Sequence, residues 1–274
     1  MMKKILCLML LAAPVFGQAV TERDFRKYFD ARQVTGSFLL LDLKKNQYTA
    51  YDAARCRKGF LPASTFKIPN TLIAFETGII RDTSYVFHWE GKKWPVEAWN
   101  RDMSLPQAIA VSCVPCFQQI ARKVGAYRYQ TLLGRMQYGH FQVPVDSVEW
   151  FWLQGGARIS QFEQVDFLKR FYLNQLPVNT RSAQVTKALL LLGQGNGWKL
   201  RGKTGWASPT LTGAEGWGDD PNDYGWFVGW IEQGGDVYVF ATQVEAKRPV
   251  PDSFGAARRA ITEAILREEF GLMK

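Results

Sequence analysis

Strand-like segments at both ends of the 274-residue chain, separated by a long middle that reads as helix, constrain its fold more than any other feature. Near the N-terminus, Gly36-Ser-Phe-Leu-Leu-Leu-Asp42-Leu and Gln47-Tyr-Thr-Ala-Tyr-Asp52 flank the polar Lys44-Lys45-Asn46, the pattern of a hairpin. Near the C-terminus, Trp198–Thr204, Tyr224–Glu232 and Val237–Glu245 read as three further strands, the last two joined by Gln233-Gly-Gly-Asp236. This order implies one antiparallel sheet assembled from the two termini, with a helical region inserted between them. The expected fold class is α/β (α+β), with helices on the faces of the sheet. Residues 18–59 and 196–274 would form the sheet lobe and 60–195 the helical lobe of a single domain, with a cleft between them.

Helix punctuation supports that division. Thr21 followed by Asp24 reads as the start of a first helix with Phe25, Tyr28 and Phe29 on one face. In the middle, Ser64–Glu76 ends before Gly78 and Pro115–Val124 before Gly125, as left-handed C-terminal caps require. Ser160 and Glu163 form a capping box ahead of Phe167, Leu168 and Phe171, and Gln184–Leu192 is read as a helix closing at Gly193. A last helix begins near Asp252.

Residues 1–17 read as a secretory signal peptide. Lys3 and Lys4 precede an apolar run from Ile5, and Pro14-Val15-Phe16-Gly17 offers a cut before Gln18. The apolar run is too short to span a bilayer, so an exported chain without a stable membrane anchor is expected. Losing Lys3 and Lys4 takes the formal charge from +9 to +7. The remaining positive residues are scattered, without a run of five or an aromatic-interleaved stripe, which argues against a nucleic-acid partner. A basic surface of this kind also attracts small molecules that bear a carboxylate. Cys7 leaves with the signal, so Cys56, Cys113 and Cys116 leave at least one thiol unpaired. Cys113-Val-Pro-Cys116 has the spacing of a redox or zinc half-site but lacks a second pair, and the chain has only His88 and His140. Packing, not metal binding, is the reading for these cysteines.

Three short motifs carry chemistry. Ser64-Thr-Phe-Lys67 follows a proline and opens a helix, where residues three apart share a face, so Lys67 lies within reach of the Ser64 hydroxyl. A hydroxyl becomes a useful nucleophile only beside a base. A lysine at its ordinary pKa of about 10.4 is protonated at neutral pH and has to be altered by its surroundings to act as that base. Ser112-Cys-Val114 and Lys203-Thr204-Gly205 follow downstream. Taken singly, Ser112 reads equally as a helix cap, and Lys203-Thr204-Gly205 as a strand end with close backbone approach at the glycine. In this order and in an exported protein they point to a serine acyl enzyme.

The chain resembles the class D, oxacillinase-type, serine β-lactamase family. The resemblance covers Pro62-Ala-Ser64-Thr-Phe-Lys67-Ile-Pro-Asn70, Ser112-Cys-Val114-Pro, Tyr138-Gly139, Trp152-Leu-Gln-Gly155, Lys203-Thr-Gly205 and Trp226-Phe-Val-Gly-Trp230, nearly the whole exported chain. It departs from class A enzymes, whose middle motif is Ser-Asp-Asn. The resemblance implies the fold shared by β-lactamases and penicillin-binding transpeptidases, a β-lactam substrate and hydrolysis of its amide bond. It implies no metal and no cofactor beyond a carboxyl group derived from carbon dioxide on Lys67. By the same resemblance, carboxylated Lys67 is the general base that takes the Ser64 proton and later activates water, and Val114 and Trp152 support it, the tryptophan by its indole N–H. Ser112 relays a proton to the leaving nitrogen, Lys203 sets the local potential, and the backbone N–H groups of Ser64 and Trp206 hold the oxyanion. Thr204, Gly205 and an arginine near the last helix bind the substrate carboxylate, with Arg258 as the best fit and Arg259 as the register alternative. Residence in the periplasm and a role in antibiotic resistance follow from the same family.

Two departures stand out. Asn usually follows Tyr138-Gly139, whereas this chain has His140, which either donates a similar hydrogen bond or introduces pH sensitivity. The stretch from Trp206 to Tyr224 is longer than usual and should border the cleft, with Trp206 and Trp217 either shaping the pocket or packing the loop. Two other functions share these motifs: a covalent β-lactam sensor that acylates without turnover, and a D-alanyl peptidase. Oligomeric state and the range of β-lactams accepted are not encoded in any motif of the chain.

Overall fold

The computed structural model describes residues 19–208 and 221–273. The signal-peptide reading of residues 1–17 and the expectation for Trp217 lie outside them. Among the described residues the N-terminal segment supplies β1 (Val20–Glu22), α1 (Arg26–Asp30), β2 (Thr35–Asp42), β3 (Gln47–Tyr51) and α2 (Ala53–Cys56). A 3-10 turn, Ala63–Phe66, leads into α3 (Lys67–Glu76). A two-stranded ribbon of β4 (Val86–Phe87) and β5 (Met103–Ser104) precedes α4 (Leu105–Ala110), α5 (Val114–Val124), α6 (Ala126–Met136), α7 (Gln161–Tyr172) and α8 (Thr180–Leu189). The chain returns to strands with β6 (Leu191–Gly195), β7 (Trp198–Ala207), β8 (Asn222–Gln233) and β9 (Asp236–Lys247), and ends in α9 (Phe254–Glu268).

The two ends build one seven-stranded sheet in the order β1-β3-β2-β9-β8-β7-β6. Its seam is the antiparallel pairing of β2 with β9, from Thr35 opposite Glu245 to Asp42 opposite Tyr238, which joins the N-terminal hairpin to the C-terminal one. Every pairing is antiparallel except that of β1 with β3.

Both faces of the sheet are covered, so its central strands read as continuous apolar runs that sort by alternation. Leu39, Leu41, Val228, Trp230, Val239 and Ala241 join the large core shared with the helical region. Phe38, Leu40, Phe227 and Phe240 face the other way, onto Phe25 at the start of α1, Phe29 within it, and Ile261, Ile265 and Leu266 of α9.

Two local expectations are corrected. Thr21 does not open a helix, because Val20–Glu22 pairs with β3, and α1 is only five residues long. The helix read over Gln184–Leu192 instead runs Thr180–Leu189 with its N-terminus capped by the Asn179 side chain, and Leu191–Gly195 is an edge strand paired with β7. Ladder hydrogen bonds outweigh helix propensity there, and Gly193 sits in a strand against the Trp198 ring instead of capping a helix. Gly78 adopts positive φ, 69°, where α3 ends, whereas Gly125 at φ 77° and ψ 158° ends α5 in an extended conformation open to glycine and not in the expected left-handed cap.

Candidate active site

The turn that carries Ser64 is fixed from three directions. The Ala63 N–H donates to the Trp152 carbonyl at 2.9 Å, the Trp226 indole donates to the Leu61 carbonyl at 2.9 Å, and Gln164 Nε2 donates to Thr65 Oγ1 at 2.9 Å. Ala63 is held at φ 49°, in the left-handed region that a residue with a Cβ adopts only when its surroundings dictate it. β7 runs beside this turn. β6 pairs with β7 only as far as Arg201, so beyond Gly202 that edge of β7 is open to the Ser64 turn. Gly205 marks the closest approach, since a Cβ there would stand 3.2 Å from the Pro62 carbonyl oxygen and from the Thr65 nitrogen.

Lys67 opens α3, is buried, and places Nζ 2.9 Å from Ser64 Oγ. The same nitrogen lies 5.1 Å from the centre of the Phe117 ring, and Val114 is buried in the same core. Burial, aided by the Lys203 cation, holds the Lys67 ammonium well below its ordinary range. Burial therefore disfavours the charged form of the amine beside the nucleophile. Trp152 is buried and stacks on Phe66 at 5.1 Å between ring centres.

Ser112 ends α4 in a left-handed conformation, φ 56°. Its Oγ accepts from Lys203 Nζ at 2.9 Å, and the same ammonium donates to the Thr204 carbonyl at 3.0 Å. Lys203 is buried in β7, and burial together with the Arg258 charge lowers its pKa to about 7. Ser64 with Lys67 and Ser112 with Lys203 thus form two hydrogen-bonded pairs, coupled through the field of the Lys203 cation at Lys67.

Arg258 reaches the other end of the motif strand. Its Nη1 donates to the Gly205 carbonyl at 2.6 Å, its Nε donates to Gly255, and its guanidinium carbon lies 5.3 Å from the Trp206 ring centre. Burial lowers its pKa to about 10, so it remains a cation at neutral pH. Arg259 instead pairs with Glu263 at 2.6 Å along its own helix. Trp206 packs on Phe254 and donates its indole N–H to Asp223 at 2.8 Å.

His140 is exposed and its Nδ1 stands 3.1 Å from Glu163, the capping-box residue of α7. The cysteines need a correction. Cys113 and Cys116 are joined by a disulfide instead of packing as separate thiols, and Cys56 is free and buried. Among the described residues no group of three or more His, Cys, Asp or Glu is placed to hold a metal ion.

Two contributors escaped the sequence reading. Gly225 faces Arg258, and a Cβ there would come within 2.6 Å of the arginine Cδ. A glycine inside a strand is the signal that would have flagged it. Ala63, by contrast, has no sequence signature for its left-handed backbone.

Comparison with known proteins agrees with this geometry. A family model described as the penicillin-binding protein transpeptidase domain matches residues 33–268. The chain is similar to β-lactamase OXA-5 of Pseudomonas aeruginosa, 36% identical over 96% of this chain and 95% of the relative. It is similar to OXA-48 of Klebsiella pneumoniae at 34% identity over 94% and 95% of the two chains. Among solved structures, the class D β-lactamase YbXI from Nostoc superposes with a TM-score of 0.83 at 33% identity, covering 91% of this chain and 99% of that one. FUS-1 (OXA-85) of Fusobacterium nucleatum subsp. polymorphum gives 0.81 at 30% identity, covering 91% and 98%.

Proposed function

This chain belongs to the class D β-lactamase family and is a hydrolase, and on that premise we propose that it opens the β-lactam amide bond of penicillin-type antibiotics through an acyl enzyme on Ser64. The observation that carries the reading is the buried Lys67 amine, 2.9 Å from the Ser64 hydroxyl and held below its ordinary pKa. Ser64 Oγ gives up its proton toward Lys67 and attacks the lactam carbonyl carbon. The C–N bond then breaks, and the nitrogen takes a proton through Ser112, which Lys203 supplies with a hydrogen bond.

The negative charge that develops on the carbonyl oxygen calls for fixed donors. The backbone N–H groups of Ser64 and Trp206 suit this role, because the edge of β7 beyond Gly202 is open to the nucleophile turn. Losing one such donor typically costs about 3 kcal/mol. The Arg258 guanidinium beside Gly205, with Thr204, forms the seat for the substrate carboxylate.

The surroundings of Lys67 also suit a carboxyl group derived from carbon dioxide, since only an unprotonated amine takes up carbon dioxide and this one is buried, with the Phe117 ring centre 5.1 Å from its nitrogen. When carried, that group supplies an anionic oxygen base next to Ser64. Trp152 and Val114 would hold it, the indole as a donor that has no acceptor function.

Export to the periplasm through residues 1–17 and protection of the cell from β-lactams complete the proposal. No described helix is long and apolar enough to cross a membrane. Intact-mass measurement after mixing with a penicillin tests the chemistry: a transient adduct on the parent and none on Ser64→Ala is expected. An adduct retained by that variant would overturn the assignment.

A further inference from the structure

The junction between α4 and α5 has an unusual construction. The N–H of Ser112 bonds to the Ile109 carbonyl at 3.2 Å and the N–H of Cys113 to the Ala108 carbonyl at 2.8 Å. This is the paired bonding of a Schellman C-cap, in which the residue after the cap is left-handed and usually glycine. Here that position is Ser112, at φ 56°. A hydroxyl-bearing residue therefore occupies a backbone site that suits glycine, and something must hold it there.

The next residue, Cys113, does so on three counts. Its backbone closes α4, its sulfur accepts the Cys116 N–H at 3.2 Å as the cap of α5, and the same sulfur is bonded to Cys116. Both cysteines are buried. On the other side of Ser112, the Trp99 indole donates to the Val111 carbonyl at 3.0 Å. A bridge spanning three residues removes little freedom from the unfolded chain, so its influence is local.

We infer that the Cys113–Cys116 disulfide is a positioning device for Ser112, clamping the α4–α5 junction so that the serine hydroxyl stays on Lys203. The inference rests on the proposed relay role of Ser112. Reduction of the bridge by a thiol would convert the disulfide to two cysteine thiols and the reductant to its own disulfide. The backbone could then leave the left-handed region and carry Oγ away from the ammonium.

The test is a thermodynamic cycle on the full chain without its signal, read as the single-turnover acylation rate by intact mass, with steady-state kcat and KM measured alongside. Cys113→Ser combined with Cys116→Ala keeps an oxygen to cap α5 while removing the bridge. This pair is expected to slow acylation about tenfold with KM changed much less. In a Ser112→Ala background the same pair should have no further effect.

Acylation within about twofold of the parent would overturn the inference, as would an equal slowing in both backgrounds, which marks a merely structural role. If the pair does not fold, the dithiothreitol-reduced parent decides by the same criteria, with alkylation proving both thiols free. Reoxidation must then restore the rate. A fully oxidised parent that never acylates refutes the serine acyl-enzyme reading and the relay with it, whereas a parent that acylates normally beside a cycle showing no slowing, or equal slowing in both backgrounds, refutes the bridge alone.

Discussion

The ammonium of Lys203 lies 2.9 Å from the hydroxyl of Ser112, a contact that ties the motif strand β7 to the α4–α5 junction. Because burial and the Arg258 cation lower Lys203 to about 7, the contact is poised to change near neutrality.

A pH profile follows with a definite sign. Lys203 must hold its proton to donate to Ser112, so kcat/KM should fall as pH rises through about 7. Arg258→Ala removes a neighbouring like charge and should move that limb to higher pH. A limb that stays in place in the variant would contradict the electrostatic coupling.

Stability should run in the opposite direction. Lys203 is lowered to about 7 from about 10.4 in the unfolded chain, so between about 7 and 10 the unfolded state binds more protons and folding grows more favourable as pH rises, and the lowered Lys67 acts with the same sign. Below that window the folded state bears the full cost of the buried charges. Lys67→Met should therefore be inactive yet melt higher than the parent at pH 6, by on the order of 1 kcal/mol or more. Thermal melts at pH 6 and 9 check both signs.

The proposed carboxylate seat separates two neighbouring arginines. Arg258 lies on Gly205, whereas Arg259 is occupied with Glu263. Arg258→Ala is expected to raise KM for a penicillin by roughly 10- to 100-fold, the worth of a charge-assisted hydrogen bond, and Arg259→Ala to change it little. Gly225→Ala should imitate the first variant more weakly, since its Cβ would press on the Arg258 side chain. Steady-state kinetics on the three variants would decide.

The support given to Lys67 is also testable. Trp152→Phe keeps a ring to stack on Phe66 but removes the indole donor. Deacylation should slow about tenfold or more and recover in part when bicarbonate is raised. A loss that bicarbonate leaves untouched would argue for a packing role alone.

Much of this site was legible in the sequence because its chemistry sits in short local motifs. Ser64 and Lys67 meet through helical spacing alone, and Lys203-Thr204-Gly205 combines a charge with the one residue type that lets the strand approach the nucleophile turn. The sheet was legible for a similar reason, since alternation along β2, β8 and β9 follows from having a core on each face. What the pattern could not supply were features set by distant partners. Leu191–Gly195 became a strand because β7 offers it an edge, and Val20–Glu22 because β3 does. The left-handed backbones of Ala63 and Ser112 run against local preference and are enforced by Trp152 and by the α4–α5 junction. The bond between Cys113 and Cys116 lay within a motif already noted, but three cysteines alone do not specify which of them pair.

The most direct test of the central claim is to count product molecules per protein when the chain, freed of its signal, meets a large excess of a chromogenic β-lactam with bicarbonate present. Sustained turnover far beyond one product per protein is the predicted result, because in the proposed cycle the base beside Ser64 serves deacylation as well as acylation. A burst that stops at about one would contradict it, leaving a protein that acylates on Ser64 and cannot release its product.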